Sequence, residues 1–203
     1  LNCSSNTLIS LDLSGNIYLS TLYCSNNQLT SINLTKNTEL KLFNCSNNKL
    51  ASLSLTNNKK LNLFQCSNNL LTALSLSNAP LLENFTADKN SLTSLNFSLN
   101  PILKTVSFTE NKITTVVLTQ NPLLTNLTCW SNKLTTLDVS KNTALTSLYC
   151  DTNEIKSLNL SANINLVDFS CSKNFLTELN LKNGNNTKLN KSMLDFRSNP
   201  SLT

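Results

Sequence analysis

The feature that most constrains this chain is a period. Cysteines stand at Cys3, Cys24, Cys45, Cys66, Cys129, Cys150 and Cys171, and every gap is 21 residues or a multiple of it. Ala87 and Phe108 take the two skipped places, and both suit a buried position. A self-similar unit of this length specifies a solenoid, because one unit cannot bury its apolar face alone and must stack on copies of itself. The 203 residues therefore read as a single repeat domain, 1–203, of about nine coils. Two glycines and four prolines are too few for a flexible linker, and no domain boundary interrupts the array.

Two residues before each cysteine position (hereafter the rung) comes another apolar residue: Leu1, Leu22, Phe43, Phe64, Phe85, Val106, Leu127, Leu148 and Phe169. Inward positions two apart mark a β-strand, so the residue between them points outward. Three residues after each rung stands an asparagine, from Asn6 and Asn27 to Asn153 and Asn174, without exception. An asparagine in a turn can bond the backbone of its own turn and, when stacked, that of its neighbour. The second half of the unit repeats this logic with pairs such as Leu53/Leu55 and Leu137/Val139. A second asparagine follows at Asn16, Asn37, Asn58, Asn100, Asn121, Asn142 and Asn163, slipping to Asn78 where Ala79 stands in and replaced by Gly184 at the end. No helical 3.6-residue pattern fits between them. Each coil is expected to be two short extended segments joined by two Asn turns. Parallel ladders are expected on both faces, with coils about 4.8 Å apart. The fold class is thus a β-rich solenoid, curved or superhelical, with internal Cys and Asn ladders.

The departures from the pattern fit a stacked core. Phe108 replaces a cysteine where its strand partner shrinks to Val106, and Phe85 sits beside Ala87 in the preceding coil. Large and small exchange places, which avoids the overpacking that costs about 1–3 kcal/mol. The last stretch, 182–203, is irregular. Apolar inward positions and the asparagine resume four residues late at Leu194, Phe196 and Asn199, as expected of a longer loop approaching a C-terminal cap.

Composition narrows function mainly by exclusion. Charged residues make up 13% of the chain, against about 25% for an ordinary soluble domain, so its polar surface must be largely uncharged. The 36 asparagines, with Ser and Thr, supply it. The net charge of +5 comes from lysines spread along the chain, and Arg197 is the only arginine, so no nucleic-acid-binding patch forms. No apolar run reaches the length of a membrane-spanning helix, and no membrane insertion is expected. The chain opens on Leu1 in mid-repeat, with neither an initiator Met nor a leader, as expected of a mature or excised fragment.

Seven cysteines first suggest disulfides, but stacked rungs carry parallel side chains, a poor match to the dihedral near 90° that a disulfide needs. Seven is also an odd number. Buried free thiols packing as small hydrophobes are expected instead. With no histidine and no Cys-x-x-Cys there is no expected metal site, no cofactor and no Ser-His or Cys-His pair, so no catalytic residue is assigned. Asp151 and Asp168 stand in adjacent coils and could mimic a carboxylate pair, but solvated surface is the simpler role for both.

The outward residues of the Cys strand carry the local hint of function. Most are small and polar, as at Asn44, Ser46, Ser67 and Ser107. Trp130 and Tyr149, one coil apart, stand out against them. Exposed aromatics on a solenoid face are common binding anchors. We therefore assign a candidate ligand-binding group of Trp130, Tyr149, Asp151 and Thr128. A second candidate patch is Tyr23, Leu42 and Leu63. On the other half, Thr30, Thr72, Thr93, Thr114, Thr135 and Thr177 form an outward rank interrupted by Ala51 and Lys156. Regular Thr arrays occur in ice-binding solenoids, a remote alternative here, because strand propensity and solubility explain a broken rank more simply.

The unit L-x-x-L-x-C-x-x-N-x-L-x-x-L-x-L-x-x-N-x-x resembles the 21-residue, cysteine-bearing class of bacterial leucine-rich repeats, of the internalin J type. The resemblance covers Leu1 to about Leu181. The closing Leu181–Thr187 and Asn199–Thr203 are similar to the ends of such arrays in secreted proteins of Bacteroidetes. The resemblance implies a leucine-rich repeat fold and an exported or bacterial cell-surface protein acting in binding or adhesion. With no catalytic residue assigned, a non-enzymatic monomer that binds a protein or glycan ligand is expected. The alternative is a structural spacer that presents another domain.

Overall fold

The computed structural model describes residues 1–202. Its main element is one parallel sheet of eight three-residue strands, each contributed by one coil. In spatial order they are Thr21–Tyr23, Leu42–Asn44, Leu63–Gln65, Asn84–Thr86, Thr105–Ser107, Asn126–Thr128, Ser147–Tyr149 and Asp168–Ser170. The register advances by one repeat at every step, so the middle residues stack as Leu22, Phe43, Phe64, Phe85, Val106, Leu127, Leu148 and Phe169. All eight are fully buried. Phe43 and Phe64 stack with ring centroids 5.5 Å apart, and the column turns at Phe85, which meets Phe97 edge-on at 5.5 Å. Aromatic pairs of this geometry add about 0.5–1.5 kcal/mol beyond their burial.

The rungs lie inside. Cys24, Cys45, Cys66, Cys129, Cys150 and Cys171 are fully buried, as are Ala87 and Phe108, so the expected exchange of volumes occurs within one packed core. All seven cysteines are free thiols, and only Cys3, in the first coil, is half-buried. Burial pushes the Cys24 and Cys171 thiols up to about 12, and raises the others in the column as well. They behave as small hydrophobes.

Each coil turns twice, and the two turns are built differently. In the first, the Asn48 side-chain amide donates to Cys24 O at 3.0 Å, Cys45 O at 3.0 Å and Ser46 O at 3.3 Å, while its Oδ1 accepts Leu29 N at 2.9 Å. The same set recurs in every coil from Asn27 to Asn174. The residue before each of these asparagines has a left-handed backbone, with φ between 51° and 59° from Ser5 to Ser198. Asn occupies that place in only three coils; elsewhere it is Ser, Lys89, Glu110, Thr152 or Lys173. In the second turn, Asn121 donates to Phe97 O at 3.1 Å and Asn100 O at 2.8 Å, and its Oδ1 is buried without a partner. Asn37, Asn58, Asn100, Asn142 and Asn163 share that arrangement.

Three expectations are corrected. Parallel ladders do not run along both faces: outside the main sheet, only Ser94–Asn96 pairs with Thr115–Val117, and Ser157–Asn159 with Glu178–Asn180. The first pair carries the β-branched run Thr114–Val117, which favours strand. At the end of the second ladder Gly184 is not the substitute; Asn183 slips into the rank, buried, and donates to Asn163 O at 3.1 Å. Phe196 resumes the rung register but is 41% exposed, because among the described residues no further coil stacks on it. The irregular last coil itself is as expected: Asn199 donates to Cys171 O across 28 residues, against 24 for the regular Asn174–Cys150 bond, so the loop absorbs the inserted four. A short 3₁₀ turn, Asn186–Lys188, lies in that loop.

A candidate ligand cleft between the cysteine-strand face and the last coil

The strand alternation that turns Leu127 and Leu148 inward turns their neighbours outward. Thr128 lies opposite Tyr149 in the ladder, and Tyr149 lies opposite Ser170. Trp130 follows the Cys129 rung, and its carbonyl accepts Glu110 N at 3.1 Å, which fixes the backbone while the indole remains 36% exposed. The structure brings all four residues of the first candidate group, Thr128, Trp130, Tyr149 and Asp151, into one open cleft of about 840 Å³.

The rest of the cleft's lining was not legible as part of a site. It includes Met193, Phe196 and Arg197 of the irregular last coil. Met193 and Phe196 are 43% and 41% exposed. This stretch continues the sheet: Asp195 bridges Ser170 in parallel, Cys171 N donates to Asp195 O at 2.7 Å, and Lys173 N to Arg197 O at 2.9 Å. The Arg197 guanidinium grips both oxygens of Asp195, through Nε at 2.9 Å and Nη2 at 3.0 Å. That grip, chiefly its side-chain hydrogen bond, draws the Asp195 carboxyl down to about 2.

Asp151 has a structural role beside any ligand role. Its Oδ1 accepts the Ser170 hydroxyl, Ser172 N at 2.9 Å and the Ser172 hydroxyl at 2.8 Å, which clamps its coil to the next. Asp88 makes the same clamp, taking Ser107 Oγ at 2.6 Å and Thr109 N at 2.7 Å. An aspartate directly after the rung is thus a coil-to-coil bracket. Asp151 and Asp168 do not form a facing carboxylate pair. Asp168 lies opposite Ser147 in the ladder and accepts the Asn190 amide at 3.1 Å. Tyr149 feels both: burial first, then the charges of Asp168 and Asp151, raise its phenol above the ordinary value.

The second candidate patch is only partly assembled. Leu42 and Leu63 are ladder partners and half-buried, but Tyr23 lies opposite Asn44, two residues along the strand. Leu42 instead borders a groove of about 580 Å³ beside Leu81 and Ile102, which neither Tyr23 nor Leu63 lines. Exposure alone does not single out Trp130 either, since Tyr18 is 84% and Phe175 56% exposed. Trp130 is distinguished by the residues that share its cleft.

No group of three or more His, Cys, Asp or Glu that could hold a metal occurs among the described residues. No helix among them is long and apolar enough to cross a membrane.

A buried cysteine column, a stacked asparagine turn and one parallel sheet, all repeating every 21 residues, define a leucine-rich repeat array of the cysteine-bearing class. The solved functional domain of InlJ from Listeria monocytogenes, described as including a cysteine ladder, is similar over 100% of this chain and 49% of its own length, at 31% identity and a TM-score of 0.77. The leucine-rich effector protein YopM from Yersinia pestis is similar over 88% of this chain and 50% of its own, at 26% identity and a TM-score of 0.73. The internalin InlF from Listeria monocytogenes shares the fold over 92% of this chain and 63% of its own, at 22% identity and a TM-score of 0.75. The chain thus spans about half the length of the InlJ and YopM chains it resembles. No protein-family model matches the chain, and no curated protein sequence does.

Proposed function

We propose that this chain is a non-enzymatic, monomeric binding module that acts at a cell surface or after secretion. In this reading it recognises a protein partner through the Cys-strand face, at the cleft between Trp130 and the last coil. The carrying observation is convergence. Four outward residues from two successive coils share one cleft with Met193 and Phe196, on a chain whose outward surface is otherwise mostly small and polar. Apolar and aromatic anchors grouped in a concavity are where binding energy concentrates. The structural likeness to InlJ and YopM supports a binding reading, because solenoids of this kind present extended faces to partners.

The competing reading is a spacer that only carries another domain. The double variant Trp130→Ala/Tyr149→Ala separates the two. The module reading expects partner capture to fall at least tenfold, with circular dichroism and the unfolding midpoint little changed. Capture that survives in a folded double variant would assign the chain to the spacer class.

A further inference from the structure

Three aromatic rings, Trp130, Tyr149 and Phe196, border the same cleft as the polarizable Met193. Its charged lining is two carboxylates, Asp151 and Asp195, and one guanidinium, Arg197. Arg197 is already committed to both oxygens of Asp195. All three bonds that Asp151 accepts go to Oδ1, which leaves its Oδ2 outside the bracket. Asp168 adds a further negative charge beside Tyr149, whose raised phenol records the fields of both aspartates after burial. The cleft is therefore locally acidic on a chain whose net charge is +5.

π-Faces and carboxylates together suit one kind of ligand group. The ring quadrupole attracts a cation within about 6 Å of the centroid, with a gain of about 0.5–1 kcal/mol at exposed sites, and guanidinium also stacks flat on aromatic rings. An acidic ligand would be repelled by Asp151 and Asp168, and a purely apolar one would strip water from carboxylates without supplying a compensating charge.

We propose that this cleft takes a cationic side chain, an arginine or lysine of the partner protein, held against Trp130, Tyr149 and Phe196 and balanced by Asp151, with Asp168, opposite Ser147 on the adjacent strand, adding negative charge from just outside the lining. The assignment rests on the binding-module reading above and specifies the chemistry that the face selects.

Trp130 is the only tryptophan, so its emission reports on the cleft directly. The probe is a capped tetra-arginine peptide, with capped tetra-glutamate as the control, titrated into the intact chain at low salt. A saturable change in Trp130 emission is expected with tetra-arginine and none with tetra-glutamate. Asp168→Asn keeps the side-chain shape and should weaken the arginine peptide about 2- to 5-fold, the range of exposed charge pairs. Arg197→Gln removes the competing cation and should tighten it by a similar factor. An equal or stronger response to tetra-glutamate overturns the proposal, as does an affinity that neither variant moves. If tetra-arginine gives no response while Trp130→Ala/Tyr149→Ala still abolishes partner capture, the cationic assignment falls and the binding face stands. If partner capture also survives in that double variant, both fall.

Discussion

The two asparagine turns of each coil look alike in sequence and differ in physics. The first asparagine makes four bonds, three donated and one accepted, to backbone groups of two coils. The second donates two and buries an unpartnered oxygen. The carbonyls they serve differ too. Phe97 O and Asn100 O keep the backbone donors Asn100 N and Leu103 N when Asn121 is ignored, whereas Asn48 Oδ1 is the one partner of Leu29 N, and its amide shares Cys24 O with Asn27 and Cys45 O with Asn69, carbonyls that no backbone group serves. The chain shows the consequence. Asparagine is invariant in the first turn, while in the second Ala79 takes its place, fully buried, and the coil persists. A stacked polar residue is indispensable where it is the sole partner of buried backbone, and only helpful where it is an additional one.

The difference can be broken experimentally, beginning with the largest effect. Asn48→Ala should cost about 2–3 kcal/mol in urea unfolding, because it orphans the buried Leu29 amide and takes one of two amide donors from each of Cys24 O and Cys45 O. The same variant should expose Cys24 and Cys45 to a thiol reagent that reaches only Cys3 quickly in the unmodified protein, and all seven cysteines should react once it is unfolded. Asn121→Ala should cost only about 1 kcal/mol, since two donated bonds are lost but an unsatisfied oxygen leaves with them. Equal losses at the two sites would refute the contrast. The first turn alone demands a left-handed residue, and at Thr152 it forces a β-branched side chain to φ 53°. Thr152→Gly should therefore raise the unfolding free energy by about 1 kcal/mol, an unusual sign for a glycine substitution.

The smallest effect is at the last first-turn asparagine, Asn199, whose coil is clasped by Asp195 and Arg197. Folding lowers the Asp195 carboxyl from its ordinary value of 3.8 to about 2. The clasp's contribution is therefore fully present above pH 4 and disappears as the pH falls through about 2. Because the pair faces solvent, it should amount to about 0.5 kcal/mol or less, and Arg197→Gln should abolish that part of the pH dependence.

What could be read from sequence follows the same division. The rungs, the inward columns and both asparagine ranks were legible because each repeats its residue type every 21 positions. The left-handed row was not. Ser5, Lys89, Glu110 and Thr152 carry no glycine or asparagine signal, because the asparagine beside each holds the backbone there. Trp130 and Tyr149 were legible as exceptions to a polar row, and the fold placed them together. Met193 and Arg197 were not, because they follow or border an inserted loop whose path the repeat does not specify. Phe196 holds the inward register, and its exposure reflects only that, among the described residues, no further coil stacks on it. Asp151 was read by its charge alone, and its clamp on Ser170 and Ser172 needed the stacking of two coils to appear.

Ala79 has a further consequence. A solenoid is held by nearest-neighbour junctions, so its cooperativity is that of a one-dimensional chain with links of unequal strength. At Ala79 the column of second-turn amides is interrupted between Asn58 and Asn100, and no side chain there reaches the carbonyls of the coil before. When such a chain frays or is pulled, its links open in order of weakness. The array should yield first at this seam, separating its N-terminal coils from those that carry the cleft.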